Sequence, residues 1–452
     1  MKNKLLLIFV CLGTCRIATA QWTQINMQTG RWYHSSAIVE GKLIIAGGLV
    51  SGFQPINSVE IYDIEAGTWS DTTLSEARAF MGTAVLGSKV YFAGGGDLFG
   101  GISDQIDVYD ASTGEWSTMN LLEPRAALSA AAVGGKLFFA GGGTISYPNY
   151  FPSGTVEIYD TSGGGGWEYD ALSEARMAMA ATVAGDKAFF AGGVKNNTEA
   201  SSRVDIYNAA DDSWDTVYLS QPRFFLSATT AGDKILFAGG TDPLSNDSDV
   251  VDIYGLNGMN WDSPATFPVE AMLIAAATLG NKACFAGGST VDDNLSVEDP
   301  TNALHIYDPS NDNPEWEVEY METPRVGASA AVWGNQLFIS GGFNWDSLHL
   351  NSIEIYTDTT LVNATEMPAP VPELSLYPNP NKGQFSIELP RGISLPATIR
   401  LYDLKGREAV RKNARAFSQT IDVSHLQAGA YLLGIYAPDG RLVAKKRVVI
   451  AP

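Results

Sequence analysis

The chain has 452 residues and a formal net charge of −21. A chain of this length can form one large domain and a small one, and its acidity argues against a nucleic-acid partner because phosphate binding requires basic patches. The charge is uneven. The part from Glu373 onward has 12 basic and 6 acidic residues, whereas the part before it has 17 basic and 44 acidic residues. We interpret this acidity as a property that keeps a secreted protein soluble.

The first 20 residues have the pattern of a secretory signal peptide. Lys2 and Lys4 precede an apolar run over residues 5–12, and residues 18–20 are the small-residue sequence Ala-Thr-Ala that is typical of a cleavage site. The pattern predicts removal of residues 1–20, so that the mature chain begins at Gln21. No later stretch reaches 18 continuous apolar residues, and we therefore expect no membrane-spanning helix.

Cysteine usage follows from this processing. A bacterial lipoprotein signal ending at Cys15 is the alternative to cleavage after residue 20, but Thr14 fits such a signal poorly. Cleavage after residue 20 leaves Cys284 as the only cysteine, which excludes a disulfide within the chain. Cys284 lies in an apolar segment, which predicts a small buried side chain rather than a nucleophile.

The segment from residue 22 to about 357 contains seven copies of one sequence pattern. Each copy has two short apolar runs ending in a double glycine, then a variable loop, a tyrosine and, in six copies, a later tryptophan. The glycine pairs begin at Gly47, Gly94, Gly141, Gly192, Gly239, Gly287 and Gly341. The tyrosines are Tyr62, Tyr109, Tyr159, Tyr207, Tyr254, Tyr307 and Tyr356, and the tryptophans are Trp69, Trp116, Trp167, Trp214, Trp261 and Trp316. A period of 47 to 54 residues indicates a repeat architecture, and the composition predicts four β-strands per copy.

This pattern resembles the kelch family, whose repeats combine the double glycine with a later Tyr and a Trp at a fixed distance. The resemblance implies an all-β fold with a seven-bladed propeller of four-stranded blades over residues 21–357, which exposes only short strand edges. The seventh copy has no Trp after Tyr356, whereas Trp22 precedes the first copy. We therefore expect the strand around Trp22 to complete the last blade, which closes the ring of blades.

The composition changes after the seventh copy. Residues 358–373 include Met-Pro-Ala-Pro-Val-Pro and predict a linker, whereas residues 374–452 have the turn and strand signals of a separate β domain. Three segments, 376–385, 399–408 and 426–435, resemble the C-terminal sorting domain of the type IX secretion system of Bacteroidetes. This resemblance implies a small β-sandwich that interacts with the secretion machinery and directs export through the outer membrane. The cargo is then released or attached to the cell surface.

Six of the seven copies carry an arginine 16 residues before the first glycine of the pair. These residues are Arg31, Arg78, Arg125, Arg176, Arg223 and Arg325, and the sixth copy has Ala271 instead. We expect each arginine to open an innermost strand, so that the guanidinium groups surround one mouth of the central channel and can bind carboxylates or acidic sugars. The resemblance implies the same use, since some kelch domains hold acidic peptides in this way. A blade-to-blade hydrogen bond or salt bridge is the simpler explanation of a position repeated six times.

Aromatic residues mark the places where the copies differ. Trp32, Tyr33 and Phe225 lie beside the arginines, and the loops between the second and third strands carry Tyr150 and Trp345. We expect these loops at the same mouth, where aromatic side chains suit the flat face of a sugar or a peptide. Packing that fills the channel entrance is the alternative interpretation.

The resulting hypothesis is a secreted or surface-displayed module, expected to be a monomer, that binds a glycan or an extracellular protein at the loop-bearing mouth. The alternatives are a carbohydrate-active enzyme, hydrolase or epimerase-like, and a structural surface protein. His34, His305, His349 and His425 lie in different parts of the chain without ligand spacing, which disfavours a copper oxidase. No two acids stand out as a catalytic pair, and the acidic loops lack calcium-loop spacing. We therefore assign no catalytic residue, metal or cofactor.

Overall fold

The structure is a computed structural model that describes two compact units, which divide after Val362. In the first unit it describes residues 21–146, 149–161, 165–291, 297–310 and 316–361. In the second unit it describes residues 375–378, 381–388, 397–402, 408–414, 418–436 and 442–451. The predicted signal peptide, most of the predicted linker, residues 147–148 and parts of two of the three sorting-domain segments (379–380 and 403–407) lie outside the described residues.

The first unit consists of seven antiparallel sheets, or blades, in which the strands follow the order inner, second, third, outer. The inner strands are Ser35–Val39, Gly82–Leu86, Ser129–Val133, Ala180–Ala184, Ser227–Ala231, Ala275–Leu279 and Ser329–Trp333. The second strands are Lys42–Ala46, Lys89–Ala93, Lys136–Ala140, Lys187–Ala191, Lys234–Ala238, Lys282–Ala286 and Gln336–Ser340. The third strands are Ser58–Asp63, Gln105–Asp110, Thr155–Asp160, Arg203–Asn208, Val250–Gly255, Ala303–Tyr307 and Ser352–Thr357.

The outer strands complete each blade. They are Thr68–Thr73, Glu115–Asn120, Gly166–Ala171, Ser213–Tyr218, the pair Asn260–Trp261 and Ala265–Thr266, Glu317–Tyr320 and, in the last blade, Gln21–Asn26. Five blades also have a two-stranded ribbon between their second and third strands. The ribbons are Leu49–Val50 with Gln54–Pro55, Gly143–Ser146 with Asn149–Pro152, Val194–Asn196 with Glu199–Ala200, Ser289–Val291 with Val297–Pro300, and Phe343–Asn344 with Leu348–His349. Apart from the 3₁₀ turn Ser51–Phe53, the described part of the chain contains no helix, so the predicted all-β class is confirmed.

The inner strands surround a common axis. Each contacts the inner strands of both neighbouring blades, and the first contacts the seventh, so the circle is closed. Ala, Ser, Thr and Gly dominate these strands, which allows close approach around a narrow axis. The apolar second and third strands are buried, and the clusters between them combine residues of two adjacent blades, as in the first and second and in the third and fourth. Packing between blades is therefore the main source of hydrophobic stabilisation.

The ring of blades closes by hydrogen bonds between the two ends of the first unit. Gln21–Asn26 pairs antiparallel with Ser352–Thr357, which places Trp22 opposite Tyr356. Their ring centroids lie 5.2 Å apart. The N-terminal strand thus covers a strand edge that would otherwise be open to pairing with another chain.

Trp22→Ala should lower the free energy of unfolding by about 2 kcal/mol, because it removes half-buried aromatic area from the closing sheet. Thr23→Ala, at the next and exposed position, is the matched control and should change it little. Chemical denaturation followed by circular dichroism measures both variants. Equal stability of the two would show that closure does not depend on this contact.

The six repeated arginines lie inside the blades, which corrects their expected position at the channel mouth. Their exposed fraction is 0–1%. Arg31 shows the common arrangement. Its Nη1 donates to the carbonyl oxygens of Gly47 at 3.1 Å and Ser58 at 2.8 Å, and its Nη2 binds the Glu60 carboxylate at 2.6 Å. The six partner carboxylates belong to Glu60, Asp107, Glu157, Asp205, Asp252 and Glu354. The physical reason is that an arginine with no opening to solvent needs an ionic partner in its own blade.

The double glycine connects each arginine to the neighbouring blade. Gly47 has a left-handed φ of 63°, and a Cβ at this position would overlap the carbonyl oxygen of Arg78 in the next blade. Gly48 donates its N–H to that same carbonyl oxygen at 2.8 Å. The equivalent bond in the last blade runs from Gly342 to Arg31 at 2.9 Å, so the series of blade-to-blade bonds is also closed.

The sixth blade replaces the ionic pair as a unit. Ala271 stands in place of the arginine and His305 in place of the carboxylate. Phe267, where other blades have Leu or Met, packs against His305 with ring centroids 4.7 Å apart. Pro268 replaces a residue whose backbone N–H donates to the carboxylate in other blades. Donor, acceptor and arginine are therefore absent together, and apolar packing takes their place.

Arg223→Met should lower the free energy of unfolding by about 3–5 kcal/mol, because it leaves the Asp252 carboxylate buried and unpaired. Arg203→Met is the control, since its ion pair with Glu174 is partly exposed and should contribute less than about 1 kcal/mol. Denaturant unfolding measures both.

A second variant tests the same account by introducing the residues of the sixth blade into the fifth blade. The quadruple variant Leu219→Phe, Ser220→Pro, Arg223→Ala, Asp252→His should recover most of the stability that Arg223→Met loses, because neither a charge nor the backbone donor of residue 220 remains unpaired. A quadruple variant as unstable as Arg223→Met would contradict this explanation of the sixth blade.

The second unit is formed by two sheets that share one core. The three-stranded sheet contains Ser375–Tyr377, Gln384–Glu388 and Ser418–Asp422, and the four-stranded sheet contains Glu408–Ala414, Ala397–Tyr402, Gly429–Tyr436 and Leu442–Ile450. Residues of both sheets, such as Phe385 and Ile399, belong to the same buried cluster. This arrangement is a small β-sandwich.

Candidate functional site

Seven residues, each two positions after the repeated arginine or its replacement, form a closed collar around the axis. This axial collar consists of Tyr33, Phe80, Ala127, Ala178, Phe225, Leu273 and Gly327. All seven have a left-handed φ of 49–61°. Each N–H donates to the carbonyl oxygen of the collar residue in the preceding blade at 2.9–3.4 Å, and Tyr33 closes the circle by donating to Gly327 at 3.0 Å. Six of the seven are non-glycine residues, for which this conformation costs roughly 1 kcal/mol each and requires support from the surrounding structure.

The collar separates two cavities. The mouth pocket, of about 630 Å³, lies between the collar and the ribbons. The axial cavity, of about 250 Å³, lies along the inner strands and is lined by His34 and Ser227. Tyr33, Ala178 and Phe225 line both. The volume of the mouth pocket falls within the range of small-ligand sites, which is roughly 300–1,000 Å³.

All five aromatic residues proposed from the sequence line the mouth pocket. Trp32, Tyr33 and Phe225 come from the collar segments, whereas Tyr150 and Trp345 come from the ribbons of the third and seventh blades. None of the six arginines lines it. The structure thus brings together the aromatic half of the predicted site and separates the arginines from it.

Sequence reasoning missed several lining residues, among them Phe53, Leu98, Phe99, Leu348 and His349. They lie in the variable loops and ribbons, where the copies have no common length. Phe53 and Leu348 have left-handed φ values, which a sequence rarely signals in a large apolar residue. Both side chains are about half exposed at the rim, 48% for Phe53 and 47% for Leu348. Exposure of large apolar side chains indicates a binding surface, but only the structure shows it.

Trp32 forms a wall of the pocket. Its ring lies 4.4 Å from that of Tyr33 and 4.9 Å from that of Phe343, and the residue is only 6% exposed. The indole Nε1–H has no hydrogen-bond partner among the described residues. The Nε1 atom itself is enclosed, so its unmet hydrogen bond, which costs about 1–3 kcal/mol, is a cost of the fold, and Trp32 serves the pocket through its ring.

Trp345 stands at the rim with 59% of its surface exposed. Its Nε1 donates to the carbonyl oxygen of Val297 at 3.2 Å, and its ring packs edge-to-face on Phe343 at 4.9 Å. These two contacts fix an exposed aromatic ring beside the opening. A preorganised ring of this kind can stack on a flat ligand face at a low cost in conformational entropy.

The pocket is uncharged. Its described lining contains no Asp, Glu, Lys or Arg. Burial lowers the pKa of His349, so that its imidazole is neutral at pH 7. Burial raises the pKa of Tyr33, so that its hydroxyl remains protonated and can donate a hydrogen bond. The polar groups offered to a ligand are therefore neutral.

Two further titratable groups lie deep in the unit. His34 Nε2 pairs with Ser340 Oγ at 2.9 Å, and burial, with the charges of Arg31 and Arg325, lowers its pKa to about 3. Cys284 is 1% exposed, and burial raises the pKa of its thiol to about 12, which fits the expected structural role.

The histidines do not form a metal centre. His34 lines the axial cavity, His349 lines the mouth pocket, and His305 lines neither, since it is buried beside Phe267. No group of three or more His, Cys, Asp or Glu side chains with metal-ligand geometry occurs in the part of the chain that is described. The donor set therefore does not fit a copper site.

The buried histidines should make stability depend on pH. Burial lowers the pKa of His305 from 6.5 to about 4, so the unfolded chain binds more protons between these values. His305 therefore contributes about 3 kcal/mol to the free energy of unfolding. This contribution is fully present above about pH 6.5 and is lost as the pH falls to about 4.

Denaturant unfolding between pH 4 and 7.5 tests this dependence. His305→Phe should flatten the profile on the acid side, whereas His425→Gln, an exposed position in the second unit, should leave it unchanged. An unchanged slope in His305→Phe would show that this histidine does not contribute to acid sensitivity.

Two parts of the chain match known protein families. Residues 30–73, 77–120 and 324–360 match the Kelch motif, and residues 375–451 match the secretion system C-terminal sorting domain. The first unit is thus a kelch β-propeller. The chain as a whole is a kelch-repeat protein that carries a type IX secretion sorting domain at its C-terminus.

Individual relatives are distant. β-Agarase D of Zobellia galactanivorans is 27% identical over 172 residues, which cover 34% of this chain, and the chain spans only 34% of that relative's length. The solved structure of YjhT has a TM-score of 0.51 at 16% identity and covers 65% of this chain and 99% of its own. A fungal alcohol oxidase of the AA5 family, solved in complex with copper, has a TM-score of 0.56 at 14% identity and covers 96% of this chain and 100% of its own. At these identities the two structures show a shared fold.

The sorting domain supports secretion or attachment at the cell surface. Among the described residues we find no helical segment with the length and hydrophobicity that a bilayer crossing requires.

Proposed function

We propose that this protein is an exported binding module that holds a carbohydrate in the mouth pocket. The observation that carries the proposal is the pocket itself, an uncharged cavity of about 630 Å³ with aromatic residues from the collar and from the ribbons around one opening. Aromatic faces pack on the apolar faces of sugar rings, and a few placed donors orient the ligand. The partial similarity of this chain to a protein named β-agarase D also supports a carbohydrate ligand.

The polar groups of the pocket suit hydroxyl-rich ligands. The protonated hydroxyl of Tyr33, a residue of the pocket lining, can donate to a sugar oxygen. A purely apolar ligand would offer this hydroxyl no acceptor. This favours a carbohydrate over the other candidate, an apolar segment of an extracellular protein.

We assign no catalytic residue to the pocket. A glycosidase needs two carboxyl groups that flank the bond to be cleaved, and the described lining provides none. A glycosidase of this kind would therefore require a site elsewhere on the chain.

We further propose that the mature protein begins at Gln21 and acts outside the cell as a monomer, with the sorting domain as the part that contacts the secretion machinery. Cleavage of the sorting domain decides between release and surface attachment. It does not remove any residue of the mouth pocket, because the lining belongs to the first unit.

Trp345→Ala should weaken carbohydrate binding at least about tenfold, because removing a stacking aromatic costs roughly 1–3 kcal/mol. Tyr150→Ala should weaken it in the same direction. Tyr320→Ala is the matched control, since Tyr320 is a 64% exposed aromatic residue on an outer strand and does not line the pocket.

A glycan-array screen of the mature chain, followed by calorimetric titration of the best ligand, provides the measurement. Binding that survives both pocket substitutions would place the site elsewhere, and a chain that binds no carbohydrate would refute the proposed function.

A further inference from the structure

We propose that the ligand of the mouth pocket is an uncharged carbohydrate, and that the pocket selects against carbohydrates with carboxylate or sulfate groups. This inference rests on the proposed function, because it specifies the chemistry of the same pocket. It follows from three features: the side chains of the lining, the use of the backbone N–H groups of the collar, and the charge of the surrounding part of the chain.

Side chains that recognise anions are absent from the described lining. Carboxylates and sulfates are usually held by Arg or Lys, and the lining contains neither. The six repeated arginines are close in sequence to the collar, but each is buried and bound to a carboxylate of its own blade. They are therefore unavailable to a ligand.

The backbone of the collar is also unavailable to an anion. Converging backbone N–H groups can form an anion-binding site, and the collar presents seven left-handed residues around one axis. Each of their N–H groups, however, donates to the carbonyl oxygen of the adjacent collar residue at 2.9–3.4 Å. The collar thus satisfies its own donors and offers none to the pocket.

The Tyr33 hydroxyl is a donor that suits a neutral oxygen atom. It belongs to the pocket lining and can pair with one sugar hydroxyl or ring oxygen. An anionic group in the same place would lose its hydration without gaining a cationic partner, which is unfavourable. The part of the chain before Glu373, with 44 acidic and 17 basic residues, adds repulsion of anions at long range.

The experiment compares matched pairs of probes on the full mature chain. An array carries neutral galactan, glucan, xylan and mannan oligosaccharides, each beside its chemically sulfated form, and the best pair is then titrated by calorimetry at 0.15 M salt, about the ionic strength at which long-range charge effects are screened beyond 8 Å. We expect the neutral form to bind at least about tenfold more tightly than the sulfated form, which corresponds to 1.4 kcal/mol. Trp345→Ala should weaken binding of the neutral form at least about tenfold, which places the measured binding in the mouth pocket.

A charge introduced at the rim tests the cause of the preference. Leu348 lines the pocket and is 47% exposed, so Leu348→Arg places a guanidinium group at the opening. We expect it to shift the ratio of affinities toward the sulfated probe about tenfold, whereas Leu348→Gln leaves the ratio as it was. Leu122→Arg adds the same charge at a 65% exposed position outside the pocket and should change neither affinity.

The outcomes separate the two claims. Equal or tighter binding of the sulfated probe, lost in Trp345→Ala, would overturn the selection for uncharged ligands while the pocket remains a carbohydrate site. A ratio that does not change in Leu348→Arg would also overturn it. Failure of every carbohydrate probe to bind would refute the proposed function, and this inference with it.

Discussion

A buried pair between a repeated arginine and a carboxylate of its own blade organises six of the seven blades. Through Nη1 the arginine also holds the first glycine of the double glycine, as Arg31 holds Gly47. Its backbone carbonyl accepts the N–H of the second glycine of the preceding blade, as Arg78 accepts from Gly48. Each arginine therefore fixes its own blade with the side chain and its neighbour with the backbone. This explains why both glycines are needed, since a Cβ at either would overlap a neighbouring backbone carbonyl.

The same constraint separates the scaffold from the site. The backbone carbonyl at the arginine position, Ala271 in the sixth blade, is bonded to the preceding blade, and the residue two positions later is left-handed in every blade whatever its side chain. These residues form the collar. The side chain at that position is free to vary from Tyr33 to Gly327 without loss of the backbone circle. Variation at the collar and in the ribbons then shapes the mouth pocket. The sixth blade shows that even the ionic pair can be replaced, provided that donor, acceptor and arginine change together.

The sequence was sufficient for the repeat, its period and the aromatic half of the site, because strands, glycine pairs and exposed loop aromatics depend mainly on local pattern. It was also sufficient to connect Trp22 with Tyr356, because the seventh copy has no tryptophan after Tyr356 and Trp22 precedes the first copy. It did not reveal the burial of the arginines, because a side chain near the start of an inner strand can point into the blade or into the channel, and only packing decides. It did not reveal the collar, because left-handed Phe80 or Leu273 depends on hydrogen bonds between blades that no local pattern encodes.

We propose that the collar and the ribbons form a binding pocket for an uncharged sugar ring. The decisive experiment is a crystal structure of the mature chain with a bound neutral oligosaccharide. We expect sugar density in the mouth pocket, with one ring against Trp345 and a sugar oxygen within hydrogen-bond distance of the Tyr33 hydroxyl. Density on an outer strand, or an empty mouth pocket while sugar binds elsewhere on the chain, would refute this proposal.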